Sequence, residues 1–261
     1  MEKLKIFDTH AHYDDEKFDA DRYKLIEEMH ENGICNIINV GCDIESSQKS
    51  IELAKKYDFI YAAVGVHPSD CGQMTEKDIE ILTNYANYTK VVAIGEIGLD
   101  YYWENVPHDV QKHWFEKQLD MAYRLDLPVI IHSRDATQDT FDIIKNSKVR
   151  KGVIHAFSGS KEFAKLYTEM GFYIGVGGVV TYKNAKKLVE VVENTDLSKI
   201  LLETDSPYLS PVPLRGTRNN SQNIEYVIQK ISEIKQISPE IIAQKTQENA
   251  NVLFCNKKVV A

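Results

Sequence analysis

Lys5-Ile6-Phe7-Asp8-Thr9-His10-Ala11-His12 is a short apolar run that ends in acid, hydroxyl and imidazole side chains, with no glycine among them. An open doubly wound α/β sheet would carry a glycine-rich phosphate turn after its first strand. Asp8-Thr9-His10-Ala11-His12 stands in its place and turns the reading toward a barrel. The same kind of run returns at Cys35–Val40, Ile60–Val66, Val91–Ile97, Pro128–His132, Gly152–His155, Phe172–Val176 and Ile200–Glu203. Charged stretches with helical periodicity lie between them, among them Asp21–Glu31, Ser46–Lys56, Val110–Arg124 and Lys161–Met170. Nearly continuous apolar strands alternating with amphipathic helices indicate a parallel sheet covered by helices. Eight such units in 261 residues predict an α/β chain folded as one (β/α)8 TIM barrel, a single domain over residues 1–261. Pro239–Phe254 reads as one more helix, expected on the outside of the barrel.

Bulk composition narrows the function. Hydrophobic residues make up 43% of the chain, enough for a large core. A formal net charge of -8 disfavours sequence-independent binding along duplex nucleic acid, which depends on neutralising phosphates. It leaves room for a strand end held by cations. Cys35, Cys42, Cys71 and Cys255 form no C-x-x-C pair and are expected to be free thiols. No apolar signal segment opens the sequence, and no apolar stretch approaches the roughly 20 residues that span a bilayer. The expectation is a cytoplasmic protein with no membrane partner.

The histidines divide into two sets. His30, His108 and His113 lie in or beside charged helical stretches and read as solvated surface residues. His10 and His12 close the first run, His67 the third, His132 the fifth and His155 the sixth. Glu96 sits at the end of the fourth run and Asp205 just past the eighth. All fall at the C-terminal ends of strands, where barrel enzymes place their chemistry. Several polar groups at one barrel mouth would be costly without partners, and shared metal ions satisfy them together.

Barrel order sorts these ligands. His10 and His12 are two apart and face the same way. Strand eight neighbours strand one and brings in Asp205, while strands five and six bring His132 and His155 together. Glu96, on strand four, has two carboxylate oxygens and can bridge. One ion is therefore expected on His10, His12, Glu96 and Asp205, and another on Glu96, His132 and His155. Two such ions lie roughly 3.5–4 Å apart in hydrolases that activate water between them. The donor set suits Zn, Mn, Fe or Ni, with Mg possible in the carboxylate-rich half. Asp205 is the expected general base. His67 and Arg134 are expected to contact substrate, with weaker candidates in Arg215, Arg218 and the Tyr101-Tyr102-Trp103 run.

Motifs along the whole chain carry a resemblance. Phe7-Asp8-Thr9-His10-Ala11-His12, Gly65-Val66-His67-Pro68, Gly95-Glu96-Ile97-Gly98-Leu99-Asp100-Tyr101, Ile131-His132-Ser133-Arg134-Asp135-Ala136, His155-Ala156-Phe157-Ser158-Gly159, Glu203-Thr204-Asp205-Ser206-Pro207 and the late loop Pro211–Gly216 follow one another in order. The sequence resembles the TatD family of metal-dependent deoxyribonucleases, among the amidohydrolase-like barrels. The resemblance implies the same six ligands, a two-metal-activated water, and hydrolysis of phosphodiester bonds as a 3′-to-5′ exonuclease. DNA, as single strands or strand ends, is the expected partner. A metal-dependent ester or amide hydrolase, such as an aminoacyl-tRNA deacylase, is the alternative, because two metals and a water attack a carbonyl equally well.

Overall fold

The computed structural model describes residues 3–255. Its strands are β1 (Ile6–Ala11), β2 (Ile34–Val40), β3 (Ile60–Val64), β4 (Val91–Asp100), β5 (Val129–Arg134), β6 (Gly152–Ile154), β7 (Tyr173–Val176) and β8 (Ile200–Leu202). The helices between and after them are α1 (Arg22–Glu31), α2 (Ile44–Lys56), α3 (Glu76–Tyr85), α4 (His108–Arg124), α5 (Thr137–Asn146), α6 (Lys161–Glu169), α7 (Lys186–Asn194), α8 (Ile224–Lys235) and α9 (Pro239–Ala250). Every paired strand runs parallel to its neighbour, in the order β1 to β8. This is the predicted (β/α)8 TIM barrel. Helix starts follow local chemistry: Asp43 and Ser46 form a reciprocal capping box at α2, and Ser238 followed by Pro239 opens α9.

Strands are buried on both faces because each has two cores to serve. Ile37, Val64, Ile131 and Ile174 face the helix layer and pack with residues such as Ile26, Leu82 and Leu119. Phe7, Ile38, Ile130, Val153, Tyr173 and Leu201 form a separate cluster inside the barrel. Ala250 and Phe254 join that inner cluster, and the chain from Asn251 to Cys255 forms a single π turn. The last helix lies on the outside of the barrel, as expected, with Ile242 and Ala243 in the outer core. It runs beside β1 and β8, with Asn249 Nδ2 donating to the carbonyls of Leu197 and Ile200, and the turn after it closes the barrel floor. The departure from expectation is that the helix stops at Ala250 and the turn after it buries Phe254 in the inner cluster that also holds Phe7.

Closure between β8 and β1 uses little ladder. Among the described residues the direct link is a bridge between Ala11 and Ser206, with His12 N–H donating to the Ser206 carbonyl. The N–H groups of Thr204 and Asp205 also donate to the His10 carbonyl, and side chains supply the rest. Thr9 Oγ1 donates to the Leu202 carbonyl at 3.0 Å. The fully buried Asp8 carboxyl accepts from the backbone N–H of His10 and Thr204 on Oδ1, and from the hydroxyls of Thr204 and Ser221 on Oδ2. Burial pushes this carboxyl up to about 7 against the pull of those four donors. No helix of the described chain is long and apolar enough to cross a membrane.

Asp8→Ala leaves these donors without partners inside the fold. It should lower unfolding free energy by at least about 3 kcal/mol, at about 1–3 kcal/mol per orphaned group. Urea unfolding in the presence of EDTA, which removes any contribution from bound metal, measures this. A change below 1 kcal/mol, on the order of an ordinary surface substitution, would show that the seam does not depend on Asp8.

Candidate metal centre

Six side chains converge above the inner core. His10 and His12 project from β1 with their Nε2 atoms 3.1 Å apart. Glu96 lies within β4, which continues past it to Asp100 because Gly98 pairs with His132 and Leu99 with Ser133 on β5. Gly98 has φ +147° and its Cα faces the His132 backbone so closely that a Cβ would collide with it, so glycine is required there. Glu96 Oε2 is 3.4 Å from His10 Nε2, while Oε1 is 2.8 Å from His132 Nδ1 and 3.4 Å from His155 Nε2. One carboxylate oxygen therefore faces each histidine set. Asp205 follows β8 in a left-handed conformation, φ 58°, and its N–H donates to the His10 carbonyl. Its Oδ1 then sits 3.4 Å from His12 Nε2 and 3.8 Å from His10 Nε2. The structure thus brings together all six residues singled out as ligands.

Electrostatics define what the cluster accommodates. Burial alone would raise the Glu96 carboxyl, but His155 and His10 outweigh it and hold the group well below the usual range. Asp205 is likewise held low: burial opposes this, and the His12 hydrogen bond and the facing histidines prevail. His155 is pushed up to about 9, because Glu203 and Glu96 overcome its burial. His10 is lowered by burial and by His155, whose ring stacks on it with centroids 3.6 Å apart. Positive charge is thus favoured between these groups, and protons on imidazole are one way to supply it. Divalent ions fit the same donor set better. His10 and His12 point ring nitrogens at each other, and His10–His12–Glu96 and Glu96–His132–His155 each offer three donor atoms within 4.8 Å of one another. Deprotonated imidazole and carboxylate are the forms that ligate, so binding would release protons.

Several residues behind the cluster were not singled out from sequence. Glu203 is 1% exposed, accepts from the Ala156 N–H and has Oε1 3.4 Å from His155 Nδ1. It groups with both His10 and His155, and the Nδ1 atoms of those two histidines and Glu203 Oε2 are buried without other partners. Asp100 Oδ2 bonds His132 Nε2 at 2.9 Å, and the Val40 carbonyl bonds His12 Nδ1 at 2.9 Å. Such outer partners fix which nitrogen of a histidine is left to ligate. Cys42, a free thiol, lies 3.8 Å from His12 Nδ1. The acid in Glu203-Thr204-Asp205 and the acid four residues after Glu96 were the available signals.

His67 sits nearer than strand order implied. Its ring meets His132 edge-on at 4.4 Å, and its Nε2 is 3.9 Å from Glu96 Oε1. The reason is the β3 loop, which His67 ties back by donating its own N–H to the Cys42 carbonyl. The Ser69 N–H donates to His67 Nδ1 at 3.2 Å, so in the neutral ring the proton is on Nε2, facing the site. Burial and His132 lower this ring to about 4.

Arg134, at the rim, is exposed and stacks over the Tyr102 ring at 3.7 Å, with Trp103 edge-on to Tyr102. Tyr101 departs from its neighbours: it packs on His108 and donates to Asp139. Tyr102 and Trp103 remain about half exposed. Arg218 is held by a two-pronged pair with Asp21, and Arg215 lies over Tyr182, so neither faces the six-residue cluster. His30, His108 and His113 are on the surface, as expected.

The fold and the family are shared with known proteins. Residues 7–255 match the family model described as TatD related DNase. The chain is 44% identical over 251 residues to the uncharacterized metal-dependent hydrolase YabD of Bacillus subtilis, covering 95% of this chain and 98% of that protein. The crystal structure of YjjV, a TatD homologue from Escherichia coli, superposes with a TM-score of 0.91 at 32% identity, covering 97% of this chain and 98% of that one. A hydrolase TatD family protein from Entamoeba histolytica shares the fold, with a TM-score of 0.88 at 23% identity, over 98% of this chain and all of that one.

Glu203→Gln preserves size but removes the carboxylate shared by two histidines. It should weaken Zn²⁺ binding by about 10- to 100-fold, the usual effect of losing such a partner. Chelator competition reads the affinity, and far-ultraviolet circular dichroism should be unchanged. Wild-type affinity in this variant would remove Glu203 from the metal centre.

Proposed function

The chain belongs to the TatD related DNase family and is a metal-dependent hydrolase of that type, and we propose that it cleaves phosphodiester bonds at the ends of DNA strands, in the 3′-to-5′ direction. Glu96 carries the reading, because one of its oxygens faces His10 while the other faces His132 and His155. Its two oxygens would let it help hold two divalent ions, one of which His12 and Asp205 would also hold. Zn, Mn, Fe or Ni suits the mixed imidazole and carboxylate donors, and Mg suits the carboxylate-rich half. When bound, the ions supply charge for phosphoryl oxygens and make water more acidic.

The chain's own residues do the remainder. Asp205 accepts the proton of the attacking water: its carboxyl is held below the usual range, so it is in the basic form at neutral pH. His67 presents Nε2–H from a neutral ring and donates to a phosphoryl oxygen. Arg134 adds a guanidinium at the rim, and the half-exposed Tyr102 and Trp103 offer ring surface to an unpaired base. The net charge of -8 supports action on strand ends or short single strands and disfavours tracking along duplexes.

The test sets end-labelled single-stranded DNA beside an aminoacyl ester, each with the metal-loaded protein and with His132→Ala. Mononucleotides released stepwise by the wild type alone are expected; ester cleavage alone would replace the phosphodiester reading with the deacylase one. Asp205→Asn should reduce kcat by about 100- to 10,000-fold, the range for loss of a general base. His67→Gln should lower kcat/KM without moving the acid limb of its pH profile, because His67 stays neutral down to about pH 4. An acid limb that shifts in this variant would mean the wild-type ring titrates during turnover.

A further inference from the structure

A cavity opens beside Asp205. It has a volume of about 250 Å³ and is lined by Phe157, Val179, Leu188 and Leu209 as apolar walls, with Gly175 and Gly177 on its floor. Ala156, Thr204 and Asp205 also line it, so it adjoins the metal centre directly. Its polar neighbour Glu203 is turned inward: Oε1 is engaged by the Ala156 N–H and lies near His155, and Oε2 is buried over Gly175. What the cavity offers an occupant is therefore mainly hydrocarbon. The exposed Lys187 lies at the edge.

We propose that this cavity receives the base of the terminal nucleotide, the one whose phosphodiester bond meets the metal centre; the assignment rests on the phosphodiesterase reading. Three observations select that occupant. The cavity shares Asp205 with the metal centre, so whatever fills it is joined to the reacting phosphorus through few bonds, as a base is through its sugar. Its volume is below the roughly 300–1,000 Å³ of drug-sized clefts, so it holds one ring system and excludes a stack of two. The walls are mainly aliphatic and aromatic carbon, with Ser158, Thr204 and Lys187 also on the lining, which matches a flat, weakly hydrated ring carried on an anionic backbone. A site for one base and no following base selects a strand end over an internal linkage. The lining is mainly hydrocarbon, with Ser158 and Thr204 as its neutral polar side chains, which implies only a modest preference among the four bases.

Binding tests this without turnover. Calorimetry compares dAMP with 2-deoxyribose 5-phosphate, which has the phosphate and sugar but no base, on the Zn²⁺-loaded protein. The wild type should bind dAMP at least tenfold more tightly. Val179→Trp and Ala185→Phe fill the cavity from two lining residues that are not among the six ligands. In both, the preference should fall below twofold while affinity for deoxyribose phosphate is unchanged. Equal binding of the two ligands by the wild type, or a preference that survives in both variants, overturns the assignment. If dAMP shows the predicted preference but DNA is not cleaved, the cavity assignment stands and the phosphodiesterase reading falls. If DNA is cleaved but dAMP shows no preference, the reverse holds.

Discussion

The seam between β8 and β1 governs everything above it. Seven strand junctions are hydrogen-bonded ladders, and the eighth depends on one bridge, a few backbone bonds to the His10 carbonyl, and the buried Asp8 carboxyl with its Thr204 and Ser221 partners. His10 and His12 stand on one side of that junction and Asp205 on the other. The Asp205 N–H to His10 carbonyl bond is both a closure bond and the bond that sets the ligand geometry. Barrel closure and site assembly are therefore one event, and weakening either weakens both. The polar seam is a costly way to close a sheet, since buried acids need every acceptor position filled. Here the filled positions hold the first and last strands in the register the metal centre uses.

Above the seam, the site is built in two shells of opposing preference. Glu96 and Asp205 are held below the usual carboxylate range by facing imidazoles, while Glu203 and Asp100 stand behind His155 and His132. Carboxylates in front collect cations, and carboxylates behind orient the rings that share the work. His67 stays outside this exchange because Ser69 occupies the nitrogen that would otherwise accept. It is a fixed donor among residues that accept.

Much of this was legible in the residues. Strands of a covered parallel sheet are apolar on both faces, so the runs at Val91–Ile97 or Pro128–His132 announce themselves without a partner in view. The six-residue cluster was legible because imidazole and carboxylate at successive strand ends have few other purposes. What escaped depends on distance in sequence. Nothing in Pro239–Phe254 says that Phe254 meets Phe7, because an apolar helix end reads alike under a barrel and beside one. The pairing of Arg218 with Asp21 joins residues 197 apart, and it turns a candidate strand contact into a loop fastening. Glu203 looked like the end of a strand; its role required seeing that Gly175 leaves space for its carboxyl, where a Cβ would meet Oε2. The apolar cavity combines residues from the segments after β6 and β8, from β7 and the connection after it, and from the start of α7, and has no local signature.

The floor of the barrel has a kinetic side. Phe254 shares the inner cluster with Phe7, and the Thr9 bond to the Leu202 carbonyl spans 193 residues, so the earliest strand pairs early with β2 on one side but finds its other partners among the latest elements. Contacts of such long range form slowly, since loop closure must precede the gain. During synthesis from the ribosome, His10 and His12 emerge first and wait without Asp205, and a half-made chain holds no complete ligand set. Hydrolytic capacity is consequently a property of the finished barrel, and a nascent or truncated chain is silent by construction.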